Sequence, residues 1–147
     1  MPWRGSLRFM PDPQRSMETP TWKGDDMAIS KILVVDDTNT DRINLQSILV
    51  EAGYSVVTAA SGREALEKAA SERPDLIFLD IIMEDMDGFQ TCRKLCADDS
   101  SKNIPVVMVS SKDQKVDMMW ARRQGARAYI IKPYTPDQIT DQIQKLQ

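Results

Sequence analysis

The sequence predicts an α/β fold, a doubly wound five-stranded parallel sheet covered by helices on both faces. Two observations carry that prediction. Five short apolar runs recur along residues 27–147 without alternating with polar residues, and a strand apolar at every position buries both of its faces. Between the runs lie segments whose apolar positions fall three and four apart, the spacing of a helix with one buried stripe. The order strand–helix repeats five times. Right-handed crossovers between parallel strands then place helices on both sides of the sheet.

The first run is Ile32-Leu33-Val34-Val35. After it, Leu45, Ile48, Leu49 and Ala52 form a helical stripe, and Gly53 stands where a left-handed residue ends a helix. The second run, Ser55-Val56-Val57-Thr58, leads to the stripe Ala65, Leu66, Ala69 and Ala70, with Ser61 as N-cap and Pro74 past the end. The third, Leu76-Ile77-Phe78-Leu79, leads to Phe89, Cys92, Leu95 and Cys96. The fourth, Val106-Val107-Met108-Val109, leads to Val116, Met119 and Trp120 ahead of Gly125. The fifth, Tyr129-Ile130-Ile131, leads to Ile139, Ile143 and Leu146, with Pro136 suited to a first helical turn.

Composition excludes several classes. The chain has 147 residues, 41% hydrophobic and 28% charged, which suits one folded domain and not a disordered chain. No apolar run is long enough to span a bilayer. A net charge of −3 argues against bulk nucleic-acid binding. The complete lack of histidine removes Ser-His-Asp and Cys-His catalysis and histidine metal sites. Two cysteines, Cys92 and Cys96, make no disulfide scaffold and too few ligands for zinc, so core packing is expected of them, in a reducing, cytoplasmic setting. Residues 1–26 hold four of the eight prolines and show no helical or strand period, so they are expected to be a flexible leader, with Met27 as an alternative start. The folded domain is expected over residues 27–147.

In open α/β sheets, sites form outside the carboxyl ends of the strands. Asp36 and Asp37 follow the first strand, Asp80 the third, Ser110 and Ser111 the fourth, and Lys132-Pro133 the fifth. Three carboxylates in one crevice repel one another, and a divalent cation relieves that. An all-oxygen donor set selects Mg²⁺. An aspartate is also a competent nucleophile toward a phosphoryl group, whose oxygens a lysine neutralises and a hydroxyl can hydrogen-bond. Each residue has an ordinary alternative. Asp36 or Asp37 could cap the first helix, Asp80 could be a solvated loop residue, Ser110 a turn residue with Ser111 competing for its role, Lys132 surface charge, and Tyr129 sheet packing.

The motifs Val34-Val35-Asp36-Asp37, Leu79-Asp80, Met83-Glu84-Asp85-Met86-Asp87-Gly88, Val109-Ser110 and Lys132-Pro133, in that order, resemble the receiver domain of two-component response regulators. The resemblance covers about residues 31–146. It implies the CheY-like, flavodoxin-like strand order 2-1-3-4-5. It implies that Asp80 accepts a phosphoryl group from a CheA-like histidine kinase. Mg²⁺ would be held by Asp37, Asp80, the backbone carbonyl of Ile82, and Asp36 partly through water. Ser110 would be the switch hydroxyl, Lys132 the phosphoryl contact with a bond to Pro133 that is often cis, and Tyr129 the switch aromatic. The output surface would be the fourth helix, fifth strand and fifth helix, about residues 113–146. Two departures stand out. Glu84 occupies a place where the family usually has proline, adding a carboxylate near the site. Ile82, two residues past the phosphoacceptor, cannot orient a water for hydrolysis of an aspartyl-phosphate.

No output domain follows the last predicted helix in this sequence. The expectation is therefore a single-domain receiver, a monomer or weak homodimer, that signals by protein contact and not through DNA or a membrane. The segments 104–114 and 120–129 resemble the PilH type, which serves chemosensory control of type IV pilus twitching and, in relatives, phototaxis. Two other readings were open. One is a phosphate sink or relay without its own effector. The other is a small aspartyl-phosphate phosphatase, which wants an acid where Ile82 stands. On the receiver reading the chain is a phosphoacceptor switch and not an enzyme acting on separate substrates.

Overall fold

The computed structural model describes residues 28–147. The expected leader, 1–26, and Met27 lie outside the described residues. Five strands alternate with five helices: β1 Lys31–Val35, α1 Asn39–Glu51, β2 Ser55–Ala59, α2 Gly62–Glu72, β3 Leu76–Leu79, α3 Gly88–Ala97, β4 Val106–Ser110, α4 Lys115–Arg123, β5 Ala128–Ile131 and α5 Pro136–Leu146. All strands are parallel, in the order β2-β1-β3-β4-β5. Every predicted apolar run is a strand.

The absence of alternation has the expected cause. Leu33, Val35, Ile77, Leu79, Val106 and Met108 point to one face and pack with Ala65, Ala69, Cys92, Leu95 and Ala121 from α2, α3 and α4. Ile32, Val34, Leu76, Phe78, Val107 and Val109 point to the other and pack with Leu45, Leu49, Ile139 and Ile143 from α1 and α5. All four residues of β3, the central strand, are buried. Successive strand residues face opposite sides, so a sheet buried on both sides needs apolar residues at each position.

Local signals end the helices where the sequence predicts. The Ser61 hydroxyl accepts the Glu64 amide at 3.1 Å and starts α2. Thr135 and Gln138 satisfy each other's amides at the start of α5, with Pro136 in its first turn. Gly53 ends α1 with φ +100°, a conformation that costs glycine little. The first helix is not capped by Asp36 or Asp37; its N-cap is Thr38. Cys92 is buried and Cys96 half-buried, both as free thiols packed beside Gly125 and Gln124.

The fourth helix corrects one reading. It forms in the predicted place, but the stripe that predicts it faces solvent: Val116, Met119 and Trp120 are 63%, 61% and 46% exposed. The helix packs instead through Ala121 and Gln124, which are buried. Small Ala121 and the carbonyl of Gln124, which Cys92 meets at 3.5 Å, let α4 lie close against α3. The bulky residues are left outside.

The turn into α3 is the tightest joint of the fold. The Gly88 amide donates to the Ile81 carbonyl at 2.7 Å. A Cβ at Gly88 would overlap the Asp80 carbonyl oxygen and lie 2.6 Å from the Ile81 Cα. Gly88→Ala is expected to push this loop outward and to cost about 1–3 kcal/mol, read from the midpoint of urea unfolding.

Candidate functional site

Because all five strands run the same way, their carboxyl ends share one edge of the sheet. Val35 pairs with Leu79, which sets the next residues, Asp36 and Asp80, side by side. Both stay anchored to the sheet: the Asp36 amide donates to Ala59 O at 3.1 Å and the Asp80 amide to Val35 O at 3.0 Å. Both residues are buried, 5% and 6% exposed, whereas Asp37 is exposed. Carboxylate oxygens of Asp36, Asp37 and Asp80 all lie within 4.8 Å of one another.

Lys132 reaches the same point from the end of β5. Its amide donates to Ser110 O at 2.9 Å, which ties the ends of β4 and β5 together. Its Nζ lies 3.0 Å from Asp36, 2.9 Å from Asp41 and 3.8 Å from Asp80. The Lys132–Pro133 peptide is cis, as the resemblance implies. Asp41, in the first turn of α1, is the residue that the sequence reading missed. Its signal was available: helices that follow parallel strands open at the same edge, so an acid in a first turn faces the site.

The electrostatics follow from burial. The Asp80 carboxyl is pushed up to about 6, first by burial and then by the neighbouring Asp36 charge; Lys132 and the Ile81 and Ile82 amides pull the other way without cancelling this. Burial works against the Lys132 ammonium too, but its hydrogen bonds to Asp41 and Asp36 outweigh burial and hold the proton more firmly than usual. One lysine thus serves three carboxylates, and one of these resists ionisation. A hard divalent cation fits this donor set, since a second positive centre removes the remaining repulsion.

The other predicted residues sit around this cluster. Ser110 ends β4 and is fully buried, with its hydroxyl accepting the Lys112 amide at 3.3 Å. Ser111 is exposed and instead lines a cavity of about 340 Å³ with Asp41, Asn44, Lys132, Pro133 and Tyr134. Tyr129 is half-buried and donates its hydroxyl to the Lys112 carbonyl at 2.7 Å. Ile82 lies just beyond Asp80, with its side chain 55% exposed. Glu84 is exposed and meets Asp37 through its backbone amide, at 3.3 Å; its carboxylate is outside the acidic cluster.

A parallel sheet in this order, with an acidic pocket and a lysine at its carboxyl edge, is the layout of a phosphoacceptor receiver, and the chain belongs to the response regulator receiver domain family, whose model matches residues 32–144. It is 40% identical to Protein PilH of Pseudomonas aeruginosa over 105 residues, 71% of this chain and 87% of that one. It is 38% identical to Protein PilG of the same organism over 109 residues, 74% of this chain and 81% of that one. Among solved structures it is similar to the chemotaxis protein CheY4 of Vibrio cholerae, with TM-score 0.77 and 32% identity, covering 82% of this chain and all of that one. Among the described residues, no helix is long and apolar enough to cross a membrane.

The raised Asp80 pKa makes stability depend on pH. The folded state holds the Asp80 proton more tightly than the unfolded state, so this group's contribution is fully present below pH 4 and is lost as pH rises through about 6. In metal-free buffer Asp80→Asn is therefore expected to stabilise the fold by on the order of 2 kcal/mol at pH 7 and by little at pH 4. Urea unfolding at the two pH values measures the difference, and an equal effect at both would refute the assignment.

Proposed function

We propose that this chain is a response regulator receiver that takes a phosphoryl group from a histidine kinase onto Asp80, with Mg²⁺, and signals through the surface formed by α4, β5 and α5. The observation that carries this reading is the buried Asp80 carboxylate beside Asp36, Asp37 and the Lys132 ammonium. Asp36, Asp37, Asp80 and the Ile82 carbonyl would hold the ion. Bound there, Mg²⁺ would supply positive charge to the oxygens of the transferring group.

Asp80 is the nucleophile. One of its oxygens attacks the phosphorus of the kinase phosphohistidine, the P–N bond breaks, and the imidazole leaves with that electron pair and gains a proton from water. The product is an aspartyl-phosphate. Lys132 moves its donors from Asp36 and Asp41 to a phosphoryl oxygen. Ser110 gives its hydroxyl hydrogen to another. In the unmodified protein Ser110 and Tyr129 are both held by the backbone of one residue, Lys112, through its amide and its carbonyl. Moving the Ser110 hydroxyl toward the phosphate frees the β4–α4 segment, and Tyr129 turns inward to follow it. That is how charge at Asp80 becomes a change in the output surface.

The similarity to PilH and PilG supports a place in chemosensory control of type IV pilus motility, or of phototaxis, in the cytoplasm, with a CheA-like kinase upstream and a protein target downstream. The chemistry is confined to making and losing the chain's own acyl phosphate.

Incubation with acetyl phosphate and Mg²⁺ tests the reading by intact mass. One added phosphate is expected, absent in Asp80→Asn and absent when the metal is chelated. A phosphate that survives Asp80→Asn would overturn it. The apolar side chain of Ile82 cannot hold an attacking water, so Ile82→Asn is expected to shorten the aspartyl-phosphate lifetime about tenfold, measured by the decay of the phosphorylated mass.

A further inference from the structure

The segment between β3 and α3 carries Ile82 and lies directly after the phosphoacceptor. The resemblance to receiver domains implies a proline at position 84, where its ring would fix φ. Glu84 provides no such restraint. The structure supplies a different one. The Asp85 carboxylate accepts two backbone amides from the first turn of α2, Gly62 at 3.1 Å on one oxygen and Arg63 at 3.0 Å on the other. Slight burial opposes ionisation of this carboxyl, but the amides outweigh it and keep the group below the ordinary carboxylate range.

The surroundings make this a joint and not only a helix cap. A Cβ at Gly62 would lie 2.5 Å from the Thr91 hydroxyl and 3.1 Å from Met86, so α2 begins in direct contact with the residue after Asp85. Downstream, the Asp87 carboxylate accepts the Gln90 amide at 2.9 Å and starts α3. The Ile81 carbonyl is taken by Gly88. The Glu84 amide meets Asp37. Ile82 and Met83 form the short arc between these fixed points, and the Asp85 carboxylate joins the arc to α2 by hydrogen bonds.

We propose that Asp85 is a positioning residue, whose two-amide bond to the start of α2 holds the Ile82 backbone against the acidic cluster in place of the missing proline. This rests on the reading that Asp36, Asp37 and Asp80 bind Mg²⁺. It assigns α2 a part in the site that none of its own side chains has.

The test is a Mg²⁺ titration of the full chain, followed by ¹H–¹⁵N NMR at the Asp80, Ile81 and Ile82 amides. Asp85→Ala removes both bonds and is expected to weaken Mg²⁺ binding by on the order of tenfold. Asp85→Asn keeps one acceptor and is expected to lose less. Ser61→Ala removes the other cap of α2 and separates positioning from stability: it is expected to lower the melting temperature and leave Mg²⁺ affinity unchanged. Hydrogen exchange at residues 82–84 should quicken in Asp85→Ala and not in Ser61→Ala. Wild-type affinity in Asp85→Ala, or an equal loss in Ser61→Ala, overturns the proposal while the metal reading stands. Absence of Mg²⁺ binding in the wild type overturns both.

Discussion

Repulsion among carboxylates at the edge of a parallel sheet is the constraint on which the rest of this molecule depends. Pairing of Val35 with Leu79 leaves Asp36 and Asp80 no choice but to be neighbours. Their amides remain in the ladder, so neither can swing away. Burial comes first, and a single ammonium, drawn to Asp41 as well, cannot neutralise the Asp36 charge beside it, so Asp80 keeps its proton up to about pH 6, above the ordinary carboxylate range. The folded protein stores this cost because the core beneath it is apolar and closely packed on both faces. Anything that brings positive charge to the pocket relieves it, which is why binding there can be coupled to shape.

The neighbouring loops are built to keep that pocket from relaxing. Gly88 lies so close to Asp80 and Ile81 that the chain must turn at once into α3. Asp85 and Asp87 each satisfy amides at the start of a helix, one at α2 and one at α3. Acids at helix N-termini are favourable there, and they anchor the loop together with the buried side chain of Met83. On the other side, Lys112 donates its amide to the Ser110 hydroxyl and accepts the Tyr129 hydroxyl on its carbonyl, and these two polar contacts hold the β4–α4 segment. One flank of the pocket is pinned by several independent bonds and the other by few. The second flank is the one that the proposed switch would move.

The fourth helix continues that asymmetry. Ala121 and Gln124 are its buried residues, Met118 is half-buried, and Val116, Met119 and Trp120 point outward. A helix that buries so little is held weakly, which suits the output role proposed for it.

The sequence by itself determined the sheet, its five helices and the acidic edge. Short β-branched apolar runs alternating with helical stripes read as strands covered on both sides, and parallel strands place Asp36, Asp37, Asp80, Ser110 and Lys132 at one edge. Those facts follow from local period and chain direction, which sequence records directly. Which face of α4 packs, that Asp41 shares Lys132, and that Asp85 reaches across to α2 were decided by tertiary structure alone. Each depends on how far one element sits from another across the molecule. A stripe of Val116, Met119 and Trp120 looks the same whether it meets core or water, and an aspartate in a loop carries no mark of the amides it will find. Packing distance, set by small residues such as Ala121, Gly62 and Gly88, made those choices.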